Sequence, residues 1–126
     1  MLKKLAAILA LSPLSLFIAP SAHATDLSIV CDVKQTADGK QQDAFKRRFD
    51  IDFEPRYFRS AVDTGKGFRG KEEGFPVDIN AMRIVFVDDG NISQYYDRDT
   101  HEYVYQDVNA NVEAKGKCRE QAKGDK

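Results

Sequence analysis

The stretch Lys46–Ser60, KRRFDIDFEPRYFRS, decides between two kinds of protein. It holds five basic and four aromatic side chains in fifteen residues. On a single exposed face, that mixture would make a stacking platform for single-stranded nucleic acid. Residue parity argues otherwise, because successive side chains of an extended chain point to opposite faces. Phe45, Phe49, Ile51 and Phe53 then share one face, and Lys46, Arg48, Asp50, Asp52 and Glu54 share the other. Aromatics and charges point apart, and three acids offset two bases on the outer side. The stretch is an amphipathic strand, with Phe49, Ile51 and Phe53 expected in the core and Arg48, Asp50 and Asp52 in solvent. No nucleic-acid partner is expected. Arg47 breaks the pattern on the apolar side, near the strand's start, where its head is expected to reach water. Pro55 interrupts the strand because proline has no N–H for a ladder, and Arg56–Arg59 begin the returning strand.

The same alternation recurs on both sides of this stretch. In LSIVCDV, Leu27, Ile29, Cys31 and Val33 alternate as a strand does. The Asp-Gly pair in ADGK, Ala37–Lys40, is a hairpin signal. INAMRIVFV, Ile79–Val87, is apolar on both faces in its second half, the pattern of an interior strand covered on two sides. DDGN at Asp88–Asn91 turns the chain into a strand at Ile92–Tyr96. DRDTH turns it again into EYVYQDV, ending at Val108. Between lies VDTGKGFRGKEEGF, Val62–Phe75, whose four glycines and interspersed charges exclude a regular helix and predict the longest loop. The expected fold is all-β: a small antiparallel barrel or sandwich of about six strands, a single domain over residues 25–126, with a C-terminal tail, REQAKGDK, that frays.

The first 24 residues carry a positive start, MLKK, an apolar run broken by Pro13, and small residues at Ala22 and Ala24. That is the pattern of a cleaved signal peptide, with mature chain Thr25–Lys126, soluble and periplasmic or secreted, not membrane-embedded. Without Lys3 and Lys4 the 19 basic side chains fall to 17 against 20 acidic ones, a net charge of −3. Such a balance gives no global attraction to nucleic acid. Cys31 and Cys118 are the only cysteines. In an exported chain, and without C-x-x-C spacing, they are expected to form one structural disulfide.

Chemistry is sparse. His101 is the one histidine of the mature chain and is expected in an exposed turn; no G-x-S-x-G surrounds Ser28, Ser60 or Ser93. No metal and no cofactor is expected, since a multi-imidazole zinc site is impossible within one chain and the twelve-residue calcium loop pattern is missing. Asp88, Asp89, Asp97 and Asp99 fall in turns, where aspartate bonds its own backbone. Lys46–Lys71 holds eight bases against four acids, and Glu72–Glu113 ten acids against two bases. These halves either meet across the sheet or present a two-signed surface to a partner.

YYDRDTHEYVY, with Gly116 and Cys118 beyond it, resembles a pattern in small secreted proteobacterial β-rich proteins of unassigned function. Asp97, Arg98 and Thr100 match its turn, and His101 stands where glycine is usual. The resemblance implies a periplasmic β-rich protein with one disulfide and carries no activity.

A non-enzymatic binding or interaction module is therefore expected, with a small hydrolase using acidic residues or a small-ligand-binding barrel as alternatives. The candidate binding residues are Lys66, Phe68, Arg69 and Lys71, an aromatic among bases on a glycine-rich loop, suited to an acidic protein or a cell-envelope polyanion. Catalytic residues and oligomeric state are left open.

Overall fold

The computed structural model describes residues 25–122, so the signal-peptide reading of residues 1–24 lies outside the described residues. Within them the chain is all strand and turn. The strands are β1 Leu27–Ala37, β2 Lys40–Gln41, β3 Phe45–Phe53, β4 Arg56–Asp63, β5 Arg69–Gly74, β6 Asp78–Ile79, β7 Arg83–Asp88, β8 Ile92–Asp97, β9 Glu102–Asp107 and β10 Val112–Ala122. There are ten, not six, because the loop expected at Val62–Phe75 contains β5, because β2 and β6 are only two residues long, and because β10 runs on through the segment expected as a fraying tail.

All belong to one antiparallel sheet in the order β5-β4-β3-β1-β10-β9-β8-β7-β6, with β2 hairpinned onto β1. The sheet curls into a half-barrel. Its longest ladder is the pairing of β1 with β10, from Leu27↔Ala122 to Ala37↔Val112, and Cys31 faces Cys118 within it. The two cysteines are bonded, with Cα atoms 4.0 Å apart. Arg119–Gln121, expected in the tail, continue β10 against Val30–Ser28.

Turn chemistry follows the sequence. Asp38 and Gly39 both have positive φ, 51° and 76°, as a two-residue primed hairpin demands. Asp89 Oδ1 accepts from the N–H groups of Asn91 and Ile92, and Asp97 Oδ1 from those of Asp99 and Thr100. These bonds hold both carboxyls below the usual carboxylate range. His101 is exposed and takes φ 62° in the turn between β8 and β9.

The concave face is the core. Phe49 on β3 stacks on Phe86 on β7 at 4.1 Å between centroids, although four strands lie between them in the sheet. Phe58 meets Phe86 edge-on, and Ile29, Ile51, Ile84, Tyr96 and Tyr103 are fully buried around them. Curvature comes from register shifts in the β4–β5 and β7–β8 ladders and from Gly116, where an added Cβ would lie 2.5 Å from the carbonyl oxygen of Asp32.

Five side chains of the opening strand depart from expectation: Arg48 and Asp50, expected in solvent, are half-buried against each other at 3.4 Å, and three others depart further. Phe53 is 39% exposed, because it ends the strand beyond the curl. Asp52 is buried on the convex face, where Arg59 pairs with it at 3.3 Å. Arg47 is only 7% exposed and points into the concave face. Phe49 and Ile51 are fully buried as expected. Met82, expected to alternate into the sheet, is 63% exposed, and β7, expected to be covered on both sides, is the penultimate strand, with Val85 half-buried.

Candidate functional site

Arg47 is the starting point because a charged group on a concave apolar face needs compensation. Its position opposite Val62 in the β3–β4 register aims it inward. The guanidinium lies over the Phe49 ring at 5.1 Å and the Tyr103 ring at 5.7 Å. Its Nη2 donates to Glu72 Oε1 in an ion pair and makes a long contact, 3.5 Å, to Ser60 Oγ. Its Nε is buried with no partner among the described residues.

Glu72 reaches this point because β5 is irregular. The register runs Ser60↔Glu72 and then Ala61↔Gly70, so Lys71 is the extra residue of a bulge. Bulges re-aim neighbouring side chains. Ser60 Oγ accepts from the Glu72 N–H and donates to the Glu72 carbonyl, both at 3.2 Å, which pins this backbone. Gln94 Nε2 on β8 donates to Glu72 Oε1 at 3.2 Å, and Gln94 Oε1 accepts from Tyr103 at 2.6 Å. Side chains of β3 and β8 thus converge on the β5 carboxylate, and the Gln94–Glu72 bond spans the open side of the half-barrel.

This network floors a cavity of about 440 Å³ at the mouth of the curl, lined by residues of β1, β3, β4, β5, β9 and β10. Phe45, Val62, Tyr105, Val112 and Ala114 supply apolar wall; Gln35, Thr64 and Lys71 stand with Arg47 and Glu72 as polar groups. Burial pushes the Tyr105 hydroxyl above its usual range, and the carboxylates of Asp107 and Glu72 add to this. A shallower groove of about 350 Å³ adjoins it, sharing Phe45 and Thr64.

Of the four residues singled out in sequence, Lys71 lines the cavity. Lys66 and Arg69 are exposed outside it, and Phe68 is half-buried. Phe68 lies 4.7 Å from the guanidinium of Arg48, which belongs to the convex face. The sequence reading therefore missed Arg47, Glu72 and Gln94. The available signal was parity: Arg47 and Gln94 sit at inward positions of otherwise apolar alternations.

Elsewhere, Ser28 Oγ bonds Asp50 at 2.6 Å, and Ser60 is committed to the Glu72 backbone, so neither bonds His101. Among the described residues no three His, Cys, Asp or Glu side chains group to hold a metal ion, and no helix is long and apolar enough to cross a membrane. Comparison with known proteins returns no matching family model, curated protein or solved structure.

Proposed function

We propose that the protein is an exported, non-enzymatic binding module whose ligand seats in the concave mouth of the half-barrel. The observation that carries this reading is a buried guanidinium, Arg47, paired with the partly exposed Glu72 carboxylate at the floor of a cavity of about 440 Å³. A guanidinium buried in such a place contributes less stability than apolar side chains of the same volume. Local rules broken on a concave surface point to function. Cavities of this size, apolar with a few convergent polar groups, suit small molecules. A hydrolase built on paired acids has less support, since Glu72 is the single carboxylate among the lining residues. The disulfide fits an oxidising compartment. The turn at Asp97–Thr100 keeps the likeness to small exported β-rich proteins as part of the same proposal.

The test is a fragment screen on the oxidised Thr25–Lys126 chain by amide and side-chain NMR. Hits should cluster at Gln35, Arg47, Thr64, Tyr105 and Val112. Hits confined to Lys66–Arg69 would move the site to the convex loop, and an absence of hits at the cavity would reject it as a ligand seat. Export is tested separately by N-terminal sequencing: Thr25 is the expected first residue, and Met1 on the exported product would reject the processing.

A further inference from the structure

Resting on the cavity as the ligand seat, its charge arrangement narrows the ligand class. We infer that the mouth of the half-barrel binds a neutral saccharide of one or two rings. Arg47 and Glu72 neutralise each other at the floor. An anion entering the cavity would meet the Glu72 carboxylate, and a cation would meet Arg47. Lys71 stands exposed at the rim, where water screens its charge.

What remains for a ligand is directional hydrogen bonding. Both bonds that Glu72 accepts from side chains, from Arg47 and Gln94, fall on Oε1. Oε2 has no such bond in this network, and the side chain keeps 39% of its surface. A carboxylate already oriented by two neighbouring side chains costs little further ordering when it accepts from a ligand hydroxyl. Gln35 and Thr64 can donate or accept, and the Lys71 ammonium donates. Phe45 and Tyr105 supply ring surface in the same lining.

A saccharide matches both halves of this surface. One side of its ring carries C–H groups that pack on an aromatic face, and its edge carries hydroxyls for a fixed acceptor and mixed donors. A fatty acid fits poorly, because its carboxylate would face Glu72 and its chain offers no hydroxyls to Gln35, Thr64 and Glu72.

The experiment titrates the oxidised Thr25–Lys126 chain with glucose, N-acetylglucosamine, their β1,4-linked disaccharides and decanoate, read by NMR at the cavity residues. At least one saccharide should shift Arg47 Nε–H, Thr64 and Tyr105 saturably. Glu72→Gln and, separately, Tyr105→Ala should each weaken that binding by about tenfold or more, whereas Lys66→Ala should leave it unchanged. Thermal melts of each variant separate lost binding from lost folding, and Tyr105→Ala serves if Glu72→Gln unfolds. Silent saccharides with decanoate or unrelated fragments shifting the same residues would overturn the saccharide class and leave the ligand seat standing. Silence at the cavity from every probe would overturn both. Saccharide binding that survives both Glu72→Gln and Tyr105→Ala would also overturn the inference.

Discussion

Phe49 and Arg48 are neighbours in sequence with opposite fates. Phe49 touches Phe58, Phe86 and Tyr103 in the core, so Phe49→Ala should cost about 3–5 kcal/mol in denaturant unfolding. Arg48 lies half-buried over Phe68, with Asp50 at 3.4 Å, so Arg48→Ala should cost about 1 kcal/mol, more than an open surface site. At the cavity floor, Glu72→Gln removes the counter-ion of the buried Arg47 and, because Glu72 itself is 39% exposed and water screens the pair, should cost about 1–2 kcal/mol. Adding Arg47→Met should restore much of that stability, since the charge is then gone. A double variant no more stable than Glu72→Gln would show that the pair has a structural role the cavity reading omits. Strand parity made the inward course of Phe49 and Ile51 legible. It also placed Arg47 inward, but a sequence does not say whether a long side chain at a strand's start finds water or a partner. Its partner, Glu72, sits on a strand the sequence concealed.

That strand, β5, shows where element-scale legibility ends. RGKEEG is almost wholly exposed and rich in glycine and charge, so neither propensity nor alternation marks it. It forms because β4 offers a ladder, and as an edge strand it needs no buried side chains of its own. The hairpins at Asp38–Gly39 and at Asp89 and Asp97 were legible because turn residues act through their own backbone. Gly116 makes an element-scale prediction: Gly116→Ala should cost about 1–3 kcal/mol, because β10 passes too close to Asp32 for a methyl group. The end of β10 makes another. Arg98 donates through Nε and Nη2 to the two oxygens of Glu120, and the Tyr96 hydroxyl donates to Oε2 at 3.0 Å. Desolvation pushes Glu120 upward, but these bonds and the Arg98 charge outweigh it and hold the carboxyl below its ordinary value. The resulting stabilisation is complete above the unfolded pKa, about 4.3, and is lost as pH falls through the lower folded value. Arg98→Ala should therefore flatten the acid limb of a stability–pH curve. Tyr96 is displaced the other way, upward, by burial and then by its bond to Glu120. Its contribution is complete below about pH 10 and lost as pH rises beyond, so Tyr96→Phe should flatten the alkaline limb.

At the scale of the molecule, the disulfide joins residues 87 apart in sequence and adjacent in the sheet. By loop-closure entropy, reduction should cost up to about 4–5 kcal/mol and lower the melting temperature accordingly. Two free thiols in the folded chain by thiol titration would remove that claim. The all-β class and the cysteine pairing were legible, because alternation and compartment chemistry are local or compositional. Strand order was not, since nothing in a single strand states its distant neighbour. That order sets how the chain must be assembled. β3–β5 and β7–β9 are meanders that can form from nearby residues, but β1 and β10, the first and last long strands, meet in the middle of the sheet. A chain delivered from its N-terminus would hold two incomplete halves, each with an open ladder, until residues 112–122 arrived to seam them. Completion of the fold would then act as a proofreading step on synthesis: a product ending before Val112 lacks β10 and the second cysteine, so β1 and β9 present unpaired edges to whatever degrades unfinished protein.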